Sequence, residues 1–79
     1  MRRTVSIRNK AYLHTEHKSL VIDRDDGMDR RVPLDDIYVL VIDDQRVTLS
    51  ARLLIDMEAA RYFDTLIEED TRWATRYQG

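Results

Sequence analysis

The sequence predicts an α+β fold: a small antiparallel β-sandwich or curled sheet of five to six short strands across residues 1–49, followed by one long C-terminal amphipathic helix across residues 50–79, the two forming a single domain. Three observations predict it. Apolar and polar residues alternate from the N-terminus, which is the period of a half-buried strand; Asp25-Asp26-Gly27 sits between two apolar runs, as in a hairpin; and from Ala51 the apolar spacing changes to three and four, the period of a helix. A chain of 79 residues makes one small domain, and the sequence has no Cys to staple it. Such a domain buries only about 60% of its unfolded surface, so association with a partner is a natural source of extra stability.

The strands follow in order. Val5 and Ile7 alternate with Thr4, Ser6 and Arg8, and Asn9-Lys10 marks a turn after which the chain reverses. Leu20–Ile22 and Arg31–Leu34 flank the Asp-Gly pair, where a tight hairpin asks both central residues for positive φ. Pro33 has no N–H to give a ladder, so its strand belongs at an edge or turns that position outward. Ile37–Ile42 (IYVLVI) has no polar group except the Tyr38 hydroxyl, which predicts a central strand covered on both faces. Asp43, Asp44 and Gln45 make a turn, Val47–Leu49 a last short strand, and Ser50 an N-cap.

Leu53, Leu54, Met57, Ala60, Phe63, Leu66, Ile67, Trp73, Ala74 and Tyr77 then form an apolar stripe at helical spacing. Between Gly27 and Gly79 the one helix breaker is Pro33, so an unbroken helix from Ala51 to Arg76 is predicted. It would be about 39 Å long at 1.5 Å per residue and would overhang its sheet. The competing arrangement is a break near Asp64 or Asp70 that folds the tail back onto the sheet. In the overhanging form Phe63, Ile67, Trp73 and Tyr77 are interface residues, because exposed apolar and aromatic area marks contact surfaces; Val39, Val41 and Val47 join them from the sheet.

Net charge is −2, unevenly placed: residues 1–34 carry eight Lys or Arg against five Asp or Glu, and residues 35–79 five against ten. A mildly acidic chain is a poor nonspecific DNA binder, since that affinity comes from neutralised phosphates. A local basic face remains, in which Arg2, Arg3, Arg8, Lys10, Arg30 and Arg31 are candidate nucleic-acid contacts, set against the plainer reading of solvated strand residues. The N-terminus has no signal-peptide pattern and no apolar run approaches a membrane span, so a cytoplasmic protein with no membrane partner is expected.

Three stretches, RRTVSI, LVIDRDDG and RRVPLDDIYVLVIDDQRVTLS, together resemble the N-terminal β-domain of the CRISPR spacer-acquisition integrase of type II loci, over the chain up to about Met57. In that family the β-domain dimerises and meets the ends of incoming DNA, while a larger helical domain holds the catalytic Glu, His and Asp. The chain reaches Gly79 before such a domain, so the resemblance implies a stand-alone, non-catalytic protein. A ring that wedges between bases in the family falls near Lys10 here, with Tyr12 and His14 the nearest rings. The family runs from a short helix into another apolar strand; here more helix is predicted in place of that strand.

Chemistry of the chain's own is sparse. His14 and His17 bracket Glu16, but in a strand or short loop residues 14 and 17 point apart, so they read as exposed turn residues rather than metal ligands. The pairs Asp25-Asp26, Asp35-Asp36 and Asp43-Asp44 stand where turns are expected. Glu68, Glu69 and Asp70 with Asp64 give the tail an acidic flank, either a solvated face or a docking surface for a basic protein. The sequence has no Gly-rich phosphate loop and no Ser or Cys nucleophile motif, so neither an enzyme nor a cofactor is implied. The resulting expectation is a homodimeric CRISPR accessory protein that holds the RNA-guided type II effector nuclease, with its guide RNA and target DNA. A DNA-binding adaptor in spacer acquisition and an inhibitor of a CRISPR protein are the alternatives.

Overall fold

The computed structural model describes residues 2–66 and 72–79. Its strands are β1 (Arg3–Ile7), β2 (Tyr12–Glu16), β3 (Ser19–Asp23), β4 (Arg30–Pro33), β5 (Ile37–Ile42), β6 (Thr48–Leu49), β7 (Tyr62–Leu66) and β8 (Trp73–Tyr77), with one helix, α1 (Ala51–Ala59). The strands form two four-stranded sheets, ordered β1-β5-β8-β7 and β4-β3-β2-β6. Both are mixed. β1 runs parallel to β5 and β6 parallel to β2, whereas the other pairs are antiparallel.

This corrects the predicted fold at three points. The protein is mostly β rather than a sheet followed by a long helix, the tail adds strands β7 and β8 to the six within residues 1–49, and the sandwich is not purely antiparallel. The helix of about 39 Å is absent, and it would have exceeded the longest dimension of the molecule, 33 Å. Instead α1 starts at Ser50, whose hydroxyl accepts the Leu53 N–H at 3.1 Å, and ends within three turns. Ala60 is the C-cap, and Arg61 turns back in the left-handed region at φ 72, so the chain reverses without a glycine. The Gln78 N–H then bonds the Arg61 carbonyl at 2.8 Å, which ties the far end of β8 to that reversal.

The tail becomes a β-hairpin for a reason rooted in β5. An interior strand needs partners on both sides: β1 supplies one, and β8 the other by pairing Val39–Arg76, Leu40–Thr75, Val41–Ala74 and Ile42–Trp73. Trp73, Thr75 and Tyr77 recur at a spacing of two, a strand period hidden within the looser helical stripe. Aromatic and β-branched residues suit a pleated, half-buried surface.

Other local expectations shift in register. The Asn9-Lys10 stretch does not close a hairpin but carries the chain from the first sheet to the second. β3 and β4 do form a hairpin around Asp25-Asp26-Gly27, but through the longer loop 24–29, in which Gly27 alone takes positive φ, 76°, and donates to the Arg24 carbonyl. The tight two-residue turn lies instead between β2 and β3, at His17 (φ 50) and Lys18 (φ 63). Pro33 ends β4, an edge strand.

The core lies between the sheets and is closed at one end by α1, which packs on β2 and β7. Leu40 and Ile42 from the first sheet meet Leu13, Leu20 and Ile22 from the second, while Leu53 and Met57 plug the gap from the helix. Every buried side-chain polar atom among the described residues has a hydrogen-bond partner.

Candidate interaction surfaces

The first sheet has one face in the core and one face partly open. β5 was expected to be covered on both faces, and the structure corrects this: Ile37, Leu40 and Ile42 are buried, Val39 and Val41 are half-buried, and Tyr38 is 44% exposed. Tyr38 is the extra residue of a register shift against β1, so it and Val39 both avoid the core. Beyond them the open face continues in rows. One row crosses all four strands as Thr4, Val39, Arg76 and Phe63; the next runs from Ser6 through Val41 to Ala74, where the face is covered. Phe63 is 43% exposed there. The surface is therefore apolar at its centre, flanked by hydroxyls, and among these side chains it carries a single charge, Arg76.

Of the residues assigned to an interface, the structure brings Val39, Val41 and Phe63 together on this face. Val47, Trp73 and Tyr77 do not join them, because they pack against the hydrophobic core from its rim. Ile67 lies outside the described residues, as do Glu68, Glu69 and Asp70 of the acidic flank. Tyr38 is the member that sequence reasoning passed over, since its hydroxyl was read only as the polar exception in a buried strand.

The basic candidates divide by partner. Arg2 is spent inside the fold: its guanidinium donates to the Ile37 carbonyl and the Tyr62 hydroxyl, both at 3.2 Å, and lies 3.6 Å from the centre of the Tyr77 ring. Tyr62 in turn places its hydroxyl within bonding reach of the Leu34 and Ile37 carbonyls. Burial pushes the Tyr62 phenol above its usual pKa, with the Arg2 charge working against the shift. Lys10 pairs with Asp25 at 3.3 Å and Arg31 with Glu16 at 3.4 Å. Arg3, Arg8 and Arg30 have no side-chain hydrogen bond or ion pair among the described residues.

The acidic pairs are largely occupied by turn and ion-pair duties. Asp26 accepts from the Met28 N–H and from Arg24, Asp43 holds Arg72, and Asp44 accepts from both the side chain and the backbone N–H of Arg46. Those bonds hold the Asp44 carboxyl down at about 2. His14 stacks on Tyr12, ring centres 5.1 Å apart, on the outer face of the second sheet, while His17 sits in the β2–β3 turn.

Two grooves flank α1. One, about 460 Å³, runs between the helix and the first sheet past Leu54, Phe63 and Trp73. The other, about 580 Å³, lies between the helix and the His17-Lys18 turn, where Asp56 is held by Thr15 at 2.5 Å and by Arg52 at 3.0 Å. No protein-family model matches the chain, and a search of curated proteins finds none significantly similar to it.

Proposed function

We propose that this chain is a non-catalytic CRISPR-associated accessory protein of the cytoplasm that homodimerises through the open face of its first sheet. As a dimer it holds a larger CRISPR protein, the RNA-guided type II effector nuclease, at its target DNA in antiviral defence. The observation that carries the reading is the partly exposed apolar surface of Tyr38, Val39, Val41 and Phe63 on a small domain with no disulfide. A two-fold pair would bury that surface against its own copy, which is the symmetric solution to a self-complementary face. The order of elements around α1 adds support: a short helix running into strand β7 is the order of the family β-domain that the sequence resembles.

A dimer presents each of its surfaces twice and can engage two copies of a partner, so avidity would strengthen the nuclease on DNA without any new contact of its own. Light scattering on the purified chain, alone and with guide-loaded effector nuclease, tests both parts. A dimeric mass that Val41→Lys reduces to monomer, together with co-elution of the nuclease, is the expected result. A monomer under all conditions overturns the interface, and a dimer that ignores the nuclease overturns the partner.

A further inference from the structure

Arg3, Arg8 and Arg30, three guanidinium groups with no partner among the described residues, converge on one flank of the sandwich. β1 is an edge of the first sheet and β4 an edge of the second, and the cleft between these edges contains two adjoining hollows of about 80 and 160 Å³. Arg8 and Arg24 line the smaller and Arg3 the larger, while Ser6, Ile22 and Arg30 are common to both. Arg24 is neutralised by Asp26 at 3.0 Å, and its backbone N–H is taken by Asp29. Three positive charges therefore remain without an acidic partner in a single open cleft.

We propose that this cleft is a phosphodiester site that grips the backbone of a nucleic-acid duplex. The argument rests on shape, charge and lining. Arg3 opens β1 and Arg8 follows its last residue, about 16 Å away at 3.3 Å per residue, with Arg30 facing them across the cleft. A row of cations of that length fits a repeating anion better than a single one, and hollows of about 80 and 160 Å³ fall below the roughly 300–1,000 Å³ of a small-molecule pocket. No aromatic residue lines either hollow, so the stacking platform of a single-strand binder is missing and only the backbone is read. The chain's net charge of −2 opposes polyanions elsewhere, which confines binding to this flank. The site does not depend on the dimer, because the edges of β1 and β4 stay open when the outer face of the first sheet is covered.

The test is fluorescence anisotropy of a labelled DNA duplex with the full chain over a salt series. Three neutralised phosphates give a slope of log K against log salt of about −2.7, so affinity falls about 40-fold between roughly 50 and 200 mM salt. Each of Arg3→Gln, Arg8→Gln and Arg30→Gln lowers that slope by about 0.9, and the triple variant loses binding, whereas Arg31→Gln leaves the slope unchanged. Unaltered thermal unfolding of the triple variant shows that the loss is not a folding defect. Salt-independent binding, a triple variant that binds like the native chain, or displacement of the duplex by inorganic phosphate at equal phosphate concentration overturns the proposal. A chain that binds duplex in this way yet remains monomeric overturns the dimer and leaves the cleft standing.

Discussion

Tyr62 sits where the N-terminus, the 3-10 turn at Leu34–Asp36 and the end of α1 meet, and its hydroxyl accepts from the Arg2 guanidinium with its one proton shared within reach of two carbonyls. Its raised pKa has a definite consequence for alkaline stability. The folded state holds the phenolic proton more tightly than the unfolded state, so the stabilisation is complete below the ordinary pKa of 10.0 and is lost as pH rises through the higher folded value. Of the four tyrosines, one is therefore expected to ionise late in a tyrosinate absorbance titration and to do so together with unfolding. Tyr62→Phe should remove that late step; its persistence in the variant would assign it to another ring. None of this was legible beforehand, because the role of Arg2 depends on a ring 75 positions away in sequence. A guanidinium that reads as a phosphate contact in a list of basic residues is equally suited to lie flat on an aromatic face.

Helix α1 illustrates how an element boundary escapes sequence reasoning. Its start was readable from Ser50, since a hydroxyl ahead of an apolar run satisfies the free N–H groups of the first turn. Its end was not, because the left-handed position at which it stops is filled by Arg61 rather than by glycine. A non-glycine residue pays about 1–2 kcal/mol to sit there, and the hairpin of β7 and β8 supplies the contacts that hold it. Arg61→Gly is accordingly expected to stabilise the protein by about 1 kcal/mol, raising the thermal midpoint by roughly 4–8 °C. A lower midpoint would mean that the arginine side chain contributes more than its backbone strain removes. The His17-Lys18 turn has the same character: two residues at positive φ where a sequence reader looks for Asn-Gly.

For the whole molecule, the folding of the tail back onto the first sheet redistributes the aromatic residues. Phe63 stays on the open face, while Trp73 and Tyr77 move to the rim of the core. Trp73→Ala is thus expected to weaken folding rather than assembly. A half-buried tryptophan should cost about 2 kcal/mol on truncation, below the 3–5 of a fully buried one, and denaturant titration would read that as an earlier midpoint while the native mass by light scattering stays unchanged. Normal stability with a reduced mass would return Trp73 to the interface. No helix among the described residues is long and apolar enough to cross a membrane.

What the sequence by itself determined was local. Strand period, the Ser50 cap, the edge position of Pro33 and the interior place of β5 follow from residue spacing and backbone chemistry, which act over a few residues. What only the tertiary structure decided was whom each segment meets. An apolar stripe in 51–77 is compatible with a helix and, in its second half, with two strands. The choice fell to β5, whose unpaired backbone N–H and C=O groups needed a second neighbour that lay more than thirty residues further along the chain. The same partition holds for the surfaces. The sequence names the arginines and valines, but pairing across strands alone decides that Val39, Val41 and Phe63 share one face and that Arg3, Arg8 and Arg30 line one cleft.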